Sequence, residues 1–151
     1  MLRQELAGQK ELVIQQEFAM NGFGVEIILS RQLADCLDTP VFIVDPDGTL
    51  LFYNHPAESI LGRRFEDTGS MRVEEWSTIF KPCDDHGNDL APERLPLVET
   101  LATRKAAHGS FWIKGLDQNL HNISVTSVPV IGRSNEFSGA MAIFWTHSQD
   151  L

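Results

Sequence analysis

A Pro-Asp-Gly turn joins two apolar runs in the first third of the chain and leaves the backbone few choices there. The turn, Asp45-Pro46-Asp47-Gly48, lies between the runs 41–44 (Val-Phe-Ile-Val) and 50–53 (Leu-Leu-Phe-Tyr). Proline presets a φ angle that suits a turn, and glycine accepts the positive φ that closes it. Two β-rich runs on either side of such a turn predict a β-hairpin.

A short helix is predicted directly after the hairpin. Asn54 is a good N-cap residue for a helix over Ala57 to Leu61, and Gly62 is a natural left-handed stop. If Asn54 acts only as a cap, its replacement by alanine costs about 1 kcal/mol.

Length and charge limit the classes of protein that this chain can belong to. A chain of 151 residues is about the size of one domain, so we expect one hydrophobic core. The formal net charge of -9 repels phosphate backbones, and the lysines and arginines are scattered along the sequence without forming a basic cluster. We therefore expect no direct binding to nucleic acid.

Membrane insertion and a disulfide framework are also not expected. The start, Met1 to Glu5, lacks the apolar region of a signal peptide, and no run approaches the ~20 apolar residues that span a bilayer. The two cysteines, Cys36 and Cys83, lie far apart and fit reduced thiols. A cytoplasmic location is the expectation.

The first twenty residues carry a weak helical stripe. Its apolar members are Leu2, Leu6, Val13 and Met20, with Gln9 and Gln16 in the same seam. The run 21–24 (Asn-Gly-Phe-Gly) then breaks the helix. Ser30 is predicted to cap a second helix from Arg31 to Leu37. The run 38–40 (Asp-Thr-Pro) ends this helix, because a residue before proline is pushed out of the helical region.

The second half of the chain predicts a helix followed by three strands. The helix is expected over Glu93 to Lys105, with Pro92 and Pro96 near its start. The strands are expected over 109–114, 120–130 and 139–147, separated by glycine-containing loops. With the hairpin they make five strands of one antiparallel sheet.

The order of these patterns resembles that of a PAS domain, a family of sensor and interaction modules. The resemblance rests on the hairpin and helix of 41–62, the loop and central helix of 85–101, and the strands over 120–132 and 137–145. It extends from Leu37 to Trp145. It implies an α+β fold in which a five-stranded antiparallel sheet is crossed on one face by helices. We expect an N-terminal helical extension over 1–36 and the PAS domain over 37–151.

The resemblance also implies a function as a regulatory module. No catalytic motif is present in the sequence, and the residues after the last strand leave no room for an effector domain, so output through an unidentified partner protein is expected. Family members commonly form homodimers through a helix near the N-terminus. This assigns the predicted dimer interface to Leu2, Leu6, Val13 and Met20.

A ligand pocket is expected between the helices and the sheet. The predicted walls are apolar side chains from both layers: Ile43, Phe52, Leu61, Trp76, Phe80, Leu97, Leu101, Val125 and Phe144. Protein cores pack densely, so the same residues also fit a filled core, and both readings stay open at this point. The ligand-free alternative is an interaction scaffold.

Cofactors receive little support from the sequence. The central helix carries no histidine for a haem, and His108 falls just beyond it. The Asn-Cys-Arg-Phe type motif of light-sensing flavin relatives is absent, because Lys81-Pro82 precedes Cys83. The polar loop 84–89 lacks the spacing of a calcium site, so a metal-using enzyme is the weakest alternative and no metal ligands are assigned. The identity of any cofactor remains open.

Overall fold

The computed structural model describes residues 24–147, and the predicted interface residues Leu2, Leu6, Val13 and Met20 lie outside them. The helices are α1 (Val25–Cys36), α2 (His55–Leu61), α3 (Phe65–Thr68), α4 (Val73–Ile79) and α5 (Pro96–Thr103). The strands are β1 (Val41–Val44), β2 (Leu50–Tyr53), β3 (Ala107–Lys114), β4 (Leu120–Ile131) and β5 (Phe137–Thr146). Short 3-10 turns lie at Pro92–Arg94 and Arg133–Asn135.

The five strands form one antiparallel sheet in the order β2-β1-β5-β4-β3. The predicted fold class, a five-stranded antiparallel sheet with helices across one face, is confirmed. The hairpin is also confirmed: Gly48 closes its turn with φ of 88°, and the Gly48 amide donates to the Asp45 carbonyl over 2.9 Å.

Two predicted helices differ from the observed ones at their boundaries. The helix predicted from Arg31 begins six residues earlier at Val25, because the Ser30 hydroxyl donates to the Glu26 carbonyl (2.7 Å) within the helix instead of capping it. The helix predicted over Glu93 to Lys105 is shorter, since Pro96 occupies its first turn and Arg104 ends it in the left-handed conformation. The division of the chain at residue 36 stays a prediction.

The sheet has an apolar cluster on each face. The inner face, under α4 and α5, carries the larger cluster, whereas α1 covers the outer face over β1 and β5 with Ile27 and Ala34. Gly139 in β5 lies close to both neighbours, because a Cβ at that position would collide with the carbonyl oxygen of Val44 in β1 and lie 3.2 Å from Ile27 in α1. Both faces of β1 are consequently buried.

Asn54 connects three elements near the start of the sheet. Its side-chain oxygen accepts from the amides of Val41 (2.9 Å) and Ala57 (3.2 Å). Its side-chain nitrogen donates to the carbonyls of Ala34 and Thr39, each over 2.9 Å. With 1% of its surface exposed, Asn54 satisfies groups on α1, β1 and α2 that water cannot reach.

We predict that Asn54→Ala lowers the free energy of unfolding by about 3 kcal/mol, because four buried hydrogen bonds are lost and their partners stay desolvated. Asn54→Asp discriminates between a cap and a connector. Aspartate caps a helix as well as asparagine, but it cannot donate to the carbonyls of Ala34 and Thr39. Urea unfolding measures both, with the exposed Asn119→Ala as control. If the Asn54→Asp protein is as stable as the wild type, Asn54 acts only as a helix cap.

Candidate functional site

An apolar cavity lies between the helices and the inner face of the sheet. Its volume is about 80 Å³. Its walls are formed by Phe42, Leu61, Trp76, Phe80, Pro82, Leu95, Pro96, Leu97, Phe111, Ile113, Ile123, Val125, Ala142 and Phe144. Every one of these side chains is apolar except for the indole nitrogen of Trp76. The cavity therefore offers a ligand apolar contacts but no charged group.

Side chains alternate between the two faces of each strand, and those on the inner face form the sheet side of the cavity. Residues two apart in a strand share a face, so Ile123 and Val125 of β4 point into the cavity beside Ala142 and Phe144 of β5. Val125 pairs directly with Phe144 across the two strands. Ala142 is the smallest side chain in this row, so space remains above it.

Trp76 forms the α4 side of the cavity and is anchored by its one polar atom. The indole nitrogen donates to the Gly48 carbonyl over 2.7 Å. The ring also packs edge-on against Phe42, with centroids 5.5 Å apart. Because the nitrogen is bonded to the hairpin turn, Trp76 presents an apolar ring to the cavity.

A buried hydroxyl pair fixes α5 on the sheet. Ser127 of β4 donates to the carbonyl of Pro96 over 2.8 Å, and Thr100 shares a hydrogen bond with the Ser127 hydroxyl. Both side chains are fully buried, so the Thr100 hydroxyl is satisfied by Ser127 and not by water. The pair sets the position of Pro96 and Leu97 at the cavity wall.

The structure brings six of the predicted pocket residues together and separates three. Leu61, Trp76, Phe80, Leu97, Val125 and Phe144 all line the cavity. Ile43 and Phe52 lie instead in the outer cluster under α1, so their predicted placement is wrong. Leu101 packs beside Gly48 without reaching the cavity. Use of the cavity by a ligand stays a prediction.

The error at Ile43 and Phe52 has a physical cause. All four residues of β1 are buried, so the strand shows no apolar-polar alternation from which to read its faces. A register shift between Ile43 and Val44 also changes which residues of β2 face inward.

Several cavity residues were missed by the sequence reasoning. They are Phe42, Pro82, Leu95, Pro96, Phe111, Ile113, Ile123 and Ala142. Ile123 could have been found by stepping two residues back from Val125, as could Ala142 from Phe144. Pro82 and Leu95 belong to loop segments, where no periodicity exists to find them.

Comparisons with known proteins agree with this architecture. A sequence model described as PAS domain matches residues 29–96. A PAS domain from Colwellia psychrerythraea has a TM-score of 0.60 at 16% identity, with 82% of this chain and 99% of that chain covered. Residues 29–96 therefore match the PAS family, and the described residues have the PAS fold. No curated protein matches the sequence significantly.

Two further solved structures also resemble this one in fold. The LOV protein of Rhodobacter sphaeroides has a TM-score of 0.65 at 13% identity, covering 83% of this chain and 70% of that chain. The fungal blue-light photoreceptor Vivid, in its light-state dimer, has a TM-score of 0.55 at 9% identity over 72% of this chain and 77% of that chain. PAS domains are sensory and signalling modules, and some of them form dimers.

The closed cavity is too small for a haem or a flavin. His108 lies on the exposed outer face of β3, where its Nδ1 is 2.9 Å from the Thr126 hydroxyl, so it cannot serve as a ligand inside. Cys83 pairs through its backbone with Trp112 at the sheet edge and does not line the cavity. Burial also raises the pKa of the Cys83 thiol, which disfavours the reactive thiolate. A volume near 80 Å³ is far below the roughly 300 Å³ of the smallest ordinary ligand pockets.

The polar loop 84–89 is held in its conformation by hydrogen bonds to its own backbone. The Asp84 carboxylate accepts from the amides of His86 and Asn88, each over 2.9 Å, and the Asn88 amide is the main reason that its pKa is lowered. Asp85 accepts from the Trp112 indole over 3.1 Å. Within residues 24–147, no three acidic, histidine or cysteine side chains are grouped as metal ligands.

No helix among the described residues has the length and apolar character needed to cross a membrane.

We predict that Leu97→Ala lowers the free energy of unfolding by about 3 kcal/mol, because it enlarges an existing cavity in the core. Leu101→Ala on the same helix is the matched control. Leu101 is half-buried and does not line the cavity, so its truncation should cost roughly half as much. Chemical unfolding of both variants gives the comparison. Equal losses would contradict the placement of the cavity.

Proposed function

We propose that this PAS domain is a homodimeric sensory module that binds a small, uncharged, apolar molecule and passes its state to a partner protein. The observation that carries the proposal is the apolar wall of the cavity. No charged side chain lines it, and its one polar atom is bonded to Gly48. An ionised or strongly polar ligand would lose its hydration there without compensation.

The size of the cavity limits the ligand further. An apolar cavity of about 150 Å³ accepts benzene, and this one is about half as large. The closed cavity therefore suits a very small apolar molecule. A larger one requires the loop residues Pro82 and Leu95 at its wall to move, and loops move more readily than strands.

A route from the cavity to the surface supports a sensory role. Trp76 connects the cavity wall to the hairpin turn through Gly48. Pro46 in the same turn lies in a groove with Gly24 and Val25 at the start of α1. Occupation of the cavity that displaces Trp76 would therefore disturb the turn, and through it the beginning of α1.

The uncovered part of the outer sheet face is the expected surface for a partner protein. It carries Trp145, which is 41% exposed, next to His108, with ring centroids 6.4 Å apart. Ser110 and Ser124 bond to each other across β3 and β4 in the neighbouring row. Exposed aromatic residues such as Trp145 are enriched at protein–protein interfaces.

A ligand-free interaction scaffold is the second candidate function. The small volume of the cavity favours it, because about 80 Å³ is also within reach of a packing defect in a core that never binds a ligand. The two candidates differ in what the cavity admits from solution. Both candidate functions include a homodimer and a partner protein.

We predict that xenon enters the cavity of the full chain. The methyl resonances of Leu61, Leu97 and Val125 should shift under xenon pressure in NMR spectra, whereas Ile43 on the opposite face should not. Ala142→Val fills the space and should abolish the shifts, while the exposed Ala106→Val leaves them unchanged. Native mass spectrometry of the purified protein tests for a retained natural ligand. Wild-type resonances insensitive to xenon, together with a bare mass, favour the scaffold.

We also predict that removal of residues 1–23 converts the dimer to a folded monomer. The sequence stripe of Leu2, Leu6, Val13 and Met20 is lost, but the whole sheet and both apolar clusters are retained. Light scattering reports the mass and circular dichroism reports the fold. A truncated protein that remains dimeric shows that the interface lies elsewhere.

A further inference from the structure

One buried nitrogen beside the cavity has no hydrogen-bond partner. Among residues 24–147, Nε2 of His121 is the single side-chain nitrogen or oxygen that is buried and unpaired. Folded proteins pair nearly all of their buried polar groups, because an unpaired one loses its hydration without compensation. The exception at His121 therefore indicates a place where a further hydrogen-bonding group would stabilise the protein.

His121 lies on the inner face of the sheet, near the beginning of β4. Ile123 and Val125 follow it at steps of two residues and both line the cavity, so the His121 side chain shares their face. Across the strands His121 pairs with Ile113 of β3, which also lines the cavity. The imidazole does not itself line the closed cavity, but it borders two of the residues that do.

The same end of the cavity is closed by two helix-side residues. The Lys114 amide donates to the Phe80 carbonyl and the Leu116 amide donates to the Leu61 carbonyl, each over 2.7 Å. Phe80 and Leu61 both line the cavity. Lys114 directly follows the strand partner of His121. A molecule that extends past the closed cavity at this end is therefore directed toward the imidazole.

The other polar side chains around the cavity are already bonded. The Trp76 indole donates to the Gly48 carbonyl, and the hydroxyls of Thr100 and Ser127 bond to each other. Within the described residues, the unpaired nitrogen of His121 is thus the hydrogen-bonding group that remains for a ligand.

The chemistry of a neutral imidazole selects the group that can pair with it. Nε2 accepts a hydrogen bond in one tautomer and donates in the other, and a hydroxyl can act in both ways. A hydroxyl therefore suits His121 in either tautomer. An ionised group would lose its hydration among apolar walls that carry no charge to replace it.

We propose that His121 determines the specificity of this cavity, and that the ligand is a small apolar molecule with one hydroxyl group, hydrogen-bonded to Nε2. The inference rests on the proposed ligand-binding function and narrows its ligand class. Ile113 and Ile123 contact the apolar body of the ligand while the imidazole holds the hydroxyl. A site with a buried group of this kind disfavours the analogue that lacks the hydroxyl, because the nitrogen then stays unpaired.

Phenol and toluene are the matched probes for this proposal, because they differ only in a hydroxyl for a methyl group. Benzene occupies a cavity of about 150 Å³, so both probes require the same movement of the cavity wall, and the difference between them reports on the hydroxyl. In NMR titrations of the full chain, His121→Phe should weaken phenol binding about tenfold, the loss of one hydrogen bond, and should leave toluene binding unchanged. His121→Gln keeps a hydrogen-bonding group and should retain phenol. His108→Phe, on the exposed outer face, is the matched control and should change neither affinity.

The wild type gives a second measurement that does not depend on the folding of any variant. In nitrogen-15 spectra of the histidine side chains, the Nε2 resonance of His121 should shift on addition of phenol and not of toluene. The resonances of His108 should respond to neither probe.

The possible results separate this inference from the proposed function. Equal weakening of both probes in His121→Phe, or an Nε2 resonance that does not distinguish phenol from toluene, overturns the role of His121 and leaves a cavity for purely apolar molecules. If neither probe binds but xenon enters, the inference is overturned and the proposed function stands for smaller molecules. If neither probe nor xenon enters, both are overturned.

Discussion

The side chain of Asn54 is the contact on which the layers of this domain depend. It donates to α1 and to the Thr39 carbonyl, and it accepts from β1 and from the first turn of α2. A buried amide with all four hydrogen-bonding positions used has one favourable orientation, so it determines how the elements meet. This residue, together with the packing of Ile27 and Ala34 in the outer cluster, holds α1 in position on the outer face.

The local elements of the fold were predictable because their signals are local. Asn54, Gly62 and the turn at 45–48 each act on a few neighbouring residues, and the structure has them where the sequence predicts them. The additional role of Asn54 was not predictable, because Ala34 lies twenty residues away and no pattern connects the two. Sequence periodicity reports one element at a time, whereas a buried connector belongs to several.

In the candidate site, too, some residues could be predicted from local patterns and others depend on packing. Val125 and Phe144 belong to strands that are exposed at intervals, so their inner faces could be read from alternation. Ile43 belongs to a strand that is buried on both faces, and there the alternation that would choose a face does not exist. The volume of the cavity is a further property of packing. It depends on how Ala142 and its neighbours fit together, and composition does not specify that fit.

The two faces of the sheet are joined at the hairpin turn, and this makes a sensory role physically reasonable for a domain with so small a cavity. Trp76 bonds to Gly48 on the inner side, and on the outer side Ile27 of α1 and the Asp45 backbone both lie close to Gly139, 3.2 and 3.4 Å from where a Cβ would be. A displacement of the indole by a fraction of an ångström strains a 2.7 Å hydrogen bond to a closed turn, and a closed turn can only move as a unit. In the proposed function, a signal to α1 would need only movement of the wall of this cavity of about 80 Å³, and no large ligand.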